Sequence, residues 1–203
     1  MSHASSLFSE KLKTVILFGP PGSGKGTLGR VLCMAGNHLH LSSGEIFRGL
    51  DPNSPAGAIF QQYASQGFLV PDQVTIDIWH HYVEGLIATN SYCPKKQLLF
   101  LDGLPRTLRQ AEILDQYIEV VQIIVLDIQD VEELKRRLLR RGGIEKRVDD
   151  QSVEVLQTRM QVYENETRKL LSHYPLSLVS HFNASLRPIE VVKEVLNKLT
   201  SIF

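Results

Sequence analysis

The chain has 203 residues, enough for one domain with a sizeable apolar core, and its 22 Lys and Arg residues equal its 22 Asp and Glu residues. This balance argues against a nucleic-acid partner and against a cationic one. No apolar run approaches the roughly 20 residues that cross a bilayer, and the N-terminus lacks the apolar core of a secretory signal. We therefore expect a monomeric cytoplasmic protein without a membrane partner. Its two cysteines form no paired motif and are expected to be free thiols.

The first predicted elements surround a glycine-rich turn. Residues 1–12 are rich in serine and small side chains, which predicts a flexible lead-in. The apolar run 14–18 has no polar alternation, as expected of a parallel strand that is buried on both faces. The turn at 18–27, with the sequence FGPPGSGKGT, leads into a predicted helix at 27–35. Backbone N–H groups, the helix N-terminus and the charge of Lys25 all favour phosphate oxygens, so the turn predicts a polyphosphate site.

One position of this turn departs from the general P-loop motif. That motif has Ser or Thr directly after the lysine, whereas this chain has Gly26 there and Thr27 one place later. A narrower pattern, Gly-x-Pro-Gly-x-Gly-Lys-Gly-Thr, is met in full and resembles nucleoside monophosphate kinases. The alternative is an ordinary strand-to-helix turn that binds nothing. The residues that we expect to hold ATP phosphates are Gly22, Ser23, Gly24, Lys25, Gly26 and Thr27.

Along the rest of the chain, apolar runs or alternation typical of strands are followed in turn by the roughly 3.6-residue spacing typical of helices. Further strands are predicted at 38–41, 97–102, 122–128 and 178–182. Further helices are predicted at 72–88, 107–120, 131–141, 152–172 and 189–199. Strands and helices that alternate through short turns predict a P-loop NTPase-type, five-stranded parallel sheet with helices on both faces.

Two segments stand outside this alternation. Residues 42–71 read as a small helical lobe, and residues 141–150 as a short charged loop. Gly142 and Gly143 are expected to end the helix that precedes this loop.

A carboxylate closes the third predicted strand, at the edge where open parallel sheets bind ligands. P-loop proteins keep an acidic residue for the metal ion at this place, so we predict that Asp102 orients Mg²⁺, through water. The alternative is a strand-end or helix-capping role.

Five ordered segments together resemble the adenylate kinase family in its short-lid form. Besides the glycine-rich turn they are LSSGEIFR at 41–48, GFLVPD at 67–72, DGLPRT at 102–107 with Gln110, and RVDD at 147–150. The resemblance covers nearly the whole chain. It implies one kinase domain over 1–203 that reversibly transfers the γ-phosphoryl group of MgATP to AMP, giving two ADP. Residues 42–71 would be the NMP-binding lobe and residues 141–150 the lid, which has no cysteine cluster for a structural zinc.

The resemblance also implies roles for single residues. The implied AMP-binding residues are Ser43, Arg48, Leu69, Val70, Gly103, Arg106, Gln110, Arg147 and Arg159. Outside the glycine-rich turn, the implied ATP-binding residues are Arg137 against the adenine and Arg141 at the phosphates. The implied catalytic residues are Lys25, Arg106, Arg141, Arg147 and Arg159.

The charges fit this chemistry on physical grounds. Bringing two polyphosphates together requires several cations aimed at the transferred group. Arginine is suited to that task, because its planar fork holds two phosphate oxygens and stays protonated. The accepting phosphate oxygen is already ionised at neutral pH, so no general base is needed.

Several alternatives stay open at this point. Arg136 and Arg140 have the same helical spacing as Arg137 and Arg141 and could exchange roles with them. The chain is one residue longer than the family between Asp150 and Arg159, so Lys146 is an alternative to Arg147. A CMP or UMP kinase would share the mechanism, although Gln110 favours AMP. A non-catalytic P-loop nucleotide-binding protein is the other alternative, but it would have no need for a second arginine pair.

Overall fold

Five parallel strands form one sheet in the order β2-β3-β1-β4-β5. The computed structural model of the protein describes residues 10–145 and 152–200. The strands are β1 (Leu12–Phe18), β2 (Leu39–Ser42), β3 (Leu99–Asp102), β4 (Ile118–Asp127) and β5 (Val179–Asn183). The predicted parallel α/β class is thereby confirmed.

Helices occupy the connections and cover both faces of the sheet. They are α1 (Lys25–Gly36), α2 (Ser43–Arg48), α3 (Pro55–Ala64), α4 (Asp72–Ala88), α5 (Leu108–Leu114), α6 (Val131–Glu145), α7 (Val153–Val162) and α8 (Pro188–Leu199). Apolar side chains of α1 and α8 pack on one face and those of α4 and α5 on the other. Within the described ranges, none of the helices is both long and apolar enough to span a membrane.

Strand β1 lies at the centre of the sheet, between β3 and β4. Its successive side chains alternate between the two apolar clusters, Ile16 and Phe18 in one and Val15 and Leu17 in the other. All four are at most 2% exposed. Burial on both faces explains why this strand shows no polar alternation.

Strand β1 begins two residues before the predicted run. Leu12 is 1% exposed and pairs with Ile118 of β4, so the predicted lead-in at 1–12 is too long by at least this residue. The apolar burial of Leu12 extends the strand toward the N-terminus. Residues 1–9 lie outside the described part of the chain.

The prediction of one helix over 107–120 is wrong for the second half of this range. Helix α5 ends at Leu114, and residues 118–120 belong to β4. Ile118 is 3% exposed opposite β1, so strand pairing and burial outweigh the helical spacing of this segment. A register shift between Thr14 and Val15 accommodates an extra residue on the β4 side.

Two other helix boundaries differ from the prediction. Helix α6 runs through Gly142 and Gly143 to Glu145, so the predicted end at these glycines is wrong. Each glycine costs only about 1 kcal/mol relative to alanine, which the rest of a long helix can offset. The helix predicted at 152–172 has three parts, since α7 is followed by a π-helical segment at Tyr163–Thr167 and a 3₁₀ segment at Lys169–His173.

Candidate active site

The glycine-rich turn lies between β1 and α1, at the carboxyl edge of the sheet. Gly22 and Gly24 have φ angles of 86° and 99°, left-handed values that favour glycine. The N–H of Ser23 donates to the carbonyl oxygen of Pro20 at 3.1 Å and closes the turn. Among the described residues, no side chain caps the N-terminus of α1. Its first N–H groups therefore face the turn as donors for an anion.

The Lys25 side chain folds back over the turn. Its Nζ atom donates to the carbonyl oxygens of Gly19 at 2.7 Å and Pro20 at 3.0 Å. The pKa of Lys25 is lowered to about 8, mainly by burial; Asp102 opposes this shift, and nearby arginines such as Arg106 add to it. A phosphate group at the turn would counter both effects and keep the ammonium charged.

Asp102 lies beside this turn because of the strand order. It pairs with Leu17 across β3 and β1, one residue before β1 ends. The side chain is buried, and its Oδ2 atom lies 3.4 Å from where a β-carbon on Gly26 would be. The carboxylate therefore abuts the first turn of α1, as the sequence predicted for a metal-side acid.

Asp102 stays ionised despite its burial. Burial alone would raise the pKa of this carboxyl, but the nearby His40 imidazole and the cations of Lys25 and Arg106 hold that pKa below its usual value. His40 Nε2 lies 3.7 Å from Asp102 Oδ2, and its side chain is 6% exposed. Gly29 makes room for this imidazole, since a β-carbon there would lie 2.3 Å from His40 Cδ2.

Six arginines line the same cleft as the glycine-rich turn. They come from α1, α2, the loop after β3, α6 and α7, and are Arg30, Arg48, Arg106, Arg137, Arg141 and Arg159. The cleft has a volume of about 460 Å³. This concentration of positive charge has no counterpart in the balanced overall charge, so it favours a polyanionic ligand at this place.

The geometry of α6 shows which of its two arginine pairs faces the cleft, a choice that the sequence did not determine. Arg137 and Arg141 line the cleft, whereas Arg136 and Arg140 are exposed outside it. Arg137 is held by two contacts, from Nε to Glu133 at 2.7 Å and from an Nη atom to the carbonyl oxygen of Ala184 at 3.0 Å.

Arg106 is fixed from three sides. Its Nε atom donates to the carbonyl oxygen of Gly103 at 2.7 Å, and its N–H donates to Gln110 Oε1 at 2.7 Å. Its own carbonyl oxygen accepts from Thr167 Oγ1 at 3.0 Å. The guanidinium is held as well, since an Nη atom lies 3.5 Å from Ser43 Oγ, and these contacts together preorganise Arg106 at the cleft.

Two of the predicted AMP contacts, Ser43 and Gly103, meet beside Arg106. Gly103 and Leu69 line the cleft, and the buried Ser43 donates its hydroxyl to the carbonyl oxygen of Gly103 at 2.9 Å. Gly103 has a φ of 81°, and a β-carbon there would lie 2.6 Å from Ser43 Oγ. Glycine is therefore required at position 103.

Three of the predicted AMP contacts, Ser43, Val70 and Gln110, do not line the cleft. Val70 is 8% exposed and Gln110 is 1% exposed. The Gln110 amide is held at both ends, because its Nε2 atom donates to Asp72 Oδ1 at 2.9 Å and its Oε1 atom accepts from Arg106. Arg147 and its alternative Lys146 lie outside the described residues.

Sequence reasoning missed two residues that support the site. His40 could have been found only by knowing that β2 pairs with β3. That pairing places Ser42 opposite Asp102, and His40 lies two residues earlier on β2. Thr167 lines the cleft from the π-helical segment, and no feature of the sequence indicated that segment.

Comparisons with known proteins agree with this geometry. The family model described as adenylate kinase matches residues 17–178. An adenylate kinase of Flavobacterium psychrophilum is 37% identical over 194 residues, covering 93% of this chain and 96% of the relative. Those of Cyanothece sp. and Borrelia turicatae are 37% and 32% identical, covering 79% and 92% of this chain and 80% and 98% of the relatives. Because the match extends over most of the chain, the protein belongs to the adenylate kinase family.

Proposed function

We infer that the protein is an ATP:AMP phosphotransferase, which reversibly transfers the γ-phosphoryl group of MgATP to AMP and gives two ADP. The observation that carries this function is one cleft with two cationic sides. The glycine-rich turn and Lys25 form one side, and Arg48 and Arg106 form the other. Family membership supports the same activity, and it does not favour a CMP or UMP kinase.

On the ATP side, the glycine-rich turn would hold the phosphates. The residues proposed for this are Gly22, Ser23, Gly24, Lys25, Gly26 and Thr27. Arg137 would lie against the adenine, beside the apolar wall that Val191 and Val192 of α8 contribute to the cleft. Arg141 would then reach the phosphates from one helical turn further along α6.

On the AMP side, the lobe at 42–71 would receive the nucleotide. Arg48 and Arg106 would clamp its phosphate, and the proposed base contacts are Ser43, Leu69, Val70, Gly103 and Gln110. Gln110 must shift its amide from Asp72 to reach a base, because its side chain is buried here. Residues 141–150 would close over both substrates as the lid, with Arg147 and Arg159 at the transferred group.

The chemical step would depend on alignment and charge. Lys25 and the arginines surround the place where phosphoryl oxygens gain charge in the transition state. The AMP oxygen attacks the γ-phosphorus as the bond to the ADP oxygen breaks, and the attacking oxygen carries no proton to remove. Closure would also exclude water, which otherwise competes as the acceptor.

The site fits Mg²⁺ that arrives with ATP. Asp102 is ionised and abuts the turn. A single carboxylate is sufficient for Mg²⁺, because this ion keeps waters and phosphate oxygens as most of its ligands. Asp102 would hold the ion through water. The bound ion would supply neutralising charge to the ATP phosphates.

We further propose that the protein acts as a cytoplasmic monomer, without a nucleic-acid or membrane partner. One chain contributes both sides of the cleft, so a second copy is not needed to complete the site. The balanced overall charge supports the same view. Gel filtration with light scattering would test it, and a stable dimer would contradict the monomer.

The acceptor specificity gives the direct test of the function. Purified protein with MgATP should form ADP rapidly with AMP, and at least about tenfold more slowly with CMP, UMP or GMP. Separate reactions with each acceptor, followed by chromatography of the diphosphates, measure this order. A preference for CMP or UMP would overturn the AMP assignment. Failure to form a product with any acceptor would overturn the proposed phosphotransferase activity.

The two arginine pairs of α6 give a matched test of the ATP side. We expect Arg137→Ala to raise the KM for ATP about tenfold, because it removes a cation that lines the cleft. Arg136→Ala removes the same charge from the exposed side of the same helix and should leave this KM unchanged. Initial rates over a range of MgATP concentrations measure both. Equal effects of the two substitutions would show that Arg137 has no specific role.

A further inference from the structure

We propose that His80, His81 and Glu84 of α4 form a binding site for a divalent transition-metal ion such as Zn²⁺. None of the three lines the nucleotide cleft, so this site is separate from the proposed phosphotransferase chemistry. Their ligand atoms all lie within 4.8 Å of one another.

The distances match the coordination of a single small ion. The Nδ1 atoms of His80 and His81 each lie 3.5 Å from the same Glu84 oxygen, Oε2. Ligand atoms that surround Zn²⁺ tetrahedrally, each about 2.1 Å from it, are about 3.4 Å apart. Two of the three ligand-to-ligand distances therefore already match, and rotation of the exposed His81 side chain would bring the two imidazole nitrogens, which lie within 4.8 Å of each other, to the third.

The supporting helix holds two of the ligands in place. Helix α4 is anchored by Trp79 and Val83, which are 1% and 0% exposed. The His80 ring packs against the Tyr117 ring, with their centroids 4.9 Å apart. The side chains of His80 and Glu84 are only 19% and 22% exposed, so metal binding would cost them little further ordering.

The donor types indicate which ions would bind. Two neutral imidazoles and one carboxylate suit Zn²⁺, Cu²⁺ and similar ions, with water at the remaining position. Mg²⁺ prefers an all-oxygen shell and keeps its waters, so millimolar Mg²⁺ from nucleotide buffers should not displace a transition-metal ion here. The site would therefore distinguish the two kinds of ion within one protein.

Cysteines are the main competitors for zinc elsewhere in the chain. Cys33 is buried, and burial raises the pKa of its thiol to about 12, which opposes the thiolate that binds metal. Cys93 is exposed and needs a control. The pair of His173 and Asp115, at 2.9 Å, needs a second control, because it also combines one histidine with one carboxylate.

The test is calorimetric titration of the nucleotide-free protein with ZnCl₂ at pH 7.5, in a buffer without phosphate. We expect saturable binding of one ion. His81→Ala and Glu84→Gln should each weaken its affinity about tenfold or more, because each removes a ligand. Cys93→Ser and His173→Ala should leave the affinity unchanged. Because His81 lies outside the cleft, His81→Ala should also keep full AMP-dependent turnover, which shows that the variant is folded.

Cobalt gives a second measurement on the same proteins. Co²⁺ bound by two imidazoles and a carboxylate should give visible d–d absorption that saturates with one ion, and this absorption should be lost in Glu84→Gln. No saturable zinc binding would overturn the site. Binding of unchanged affinity in both ligand variants, or binding lost in Cys93→Ser, would overturn it too. None of these outcomes depends on whether the protein phosphorylates AMP.

Discussion

Replacing Lys25 with methionine is expected to lower turnover at least about 100-fold without lowering the stability of the fold. The loss of turnover follows from removal of the charge nearest the expected position of the ATP phosphates. The stability of the fold should not fall, because the charge of Lys25 is unfavourable in the nucleotide-free protein. A buried ammonium ion beside Arg106 and the other cleft arginines is unfavourable until a phosphate arrives.

The sign of the stability effect follows from the pKa. The pKa of Lys25 is about 8 in the folded protein, below the ordinary value of 10.5. The unfolded chain therefore binds this proton more tightly, so the charge reduces the free energy of unfolding at pH 7. That penalty is fully present below about pH 8 and disappears as the pH rises from there toward 10.5.

Thermal unfolding without nucleotide and a coupled ADP assay measure the two effects. Lys13→Met, at the exposed second residue of β1, is the matched control and should change neither turnover nor the melting temperature by much. A Lys25→Met protein that melts well below the wild type at pH 7 would contradict the unfavourable charge. Near-normal turnover would contradict the role of Lys25 at the phosphates.

Arg106→Lys is expected to keep the positive charge and still lose about 100-fold in turnover. Arg106 is held through Nε, its N–H and its carbonyl oxygen, so the guanidinium is directed at the cleft with its planar fork intact. Lysine cannot make the bond from Nε to Gly103 with the same geometry, and it offers a point charge where two phosphate oxygens need parallel donors.

Steady-state rates with AMP as the varied substrate measure this effect, with Arg109→Lys as the control. Arg109 is exposed, three residues further along, and pairs with Glu112 at 3.3 Å. It should tolerate lysine without loss. Equal turnover of Arg106→Lys and wild type would show that charge alone suffices and that the arginine does not clamp the acceptor phosphate.

Much of the fold could be predicted because local and tertiary requirements agree. In β1, the apolar run, the burial on both faces and the following glycines all specify one strand and one turn. The failures occur where the two requirements differ. Ile118 fits a helical face by its spacing, but its pairing opposite Leu12 places it in β4. Gly142 and Gly143 are weak helix formers, yet α6 continues through both.

The site was predicted mainly through motifs, and its limits have a physical origin. Motifs indicate residues that are expected to contact ligands, and three of these, Lys25, Asp102 and Arg106, line one cleft in the structure. Such motifs carry no information on contacts between those residues and the rest of the protein. Such contacts include the imidazole of His40 at Asp102 and the burial of Gln110 against Asp72. These depend on strand order and helix packing, which spacing along one chain does not encode.

The π-helical segment after α7 determines how this helix is rotated about its axis. In an uninterrupted α-helix each residue advances by about 100°, so a residue eight positions later is turned about 80° away from the first. A π-helical turn contains more residues and therefore advances less per residue. That smaller advance brings Thr167 back toward the side of Arg159, and both side chains face the cleft. The wider turn thus lets one continuous helical segment supply both an arginine that lines the cleft and the hydroxyl that anchors Arg106.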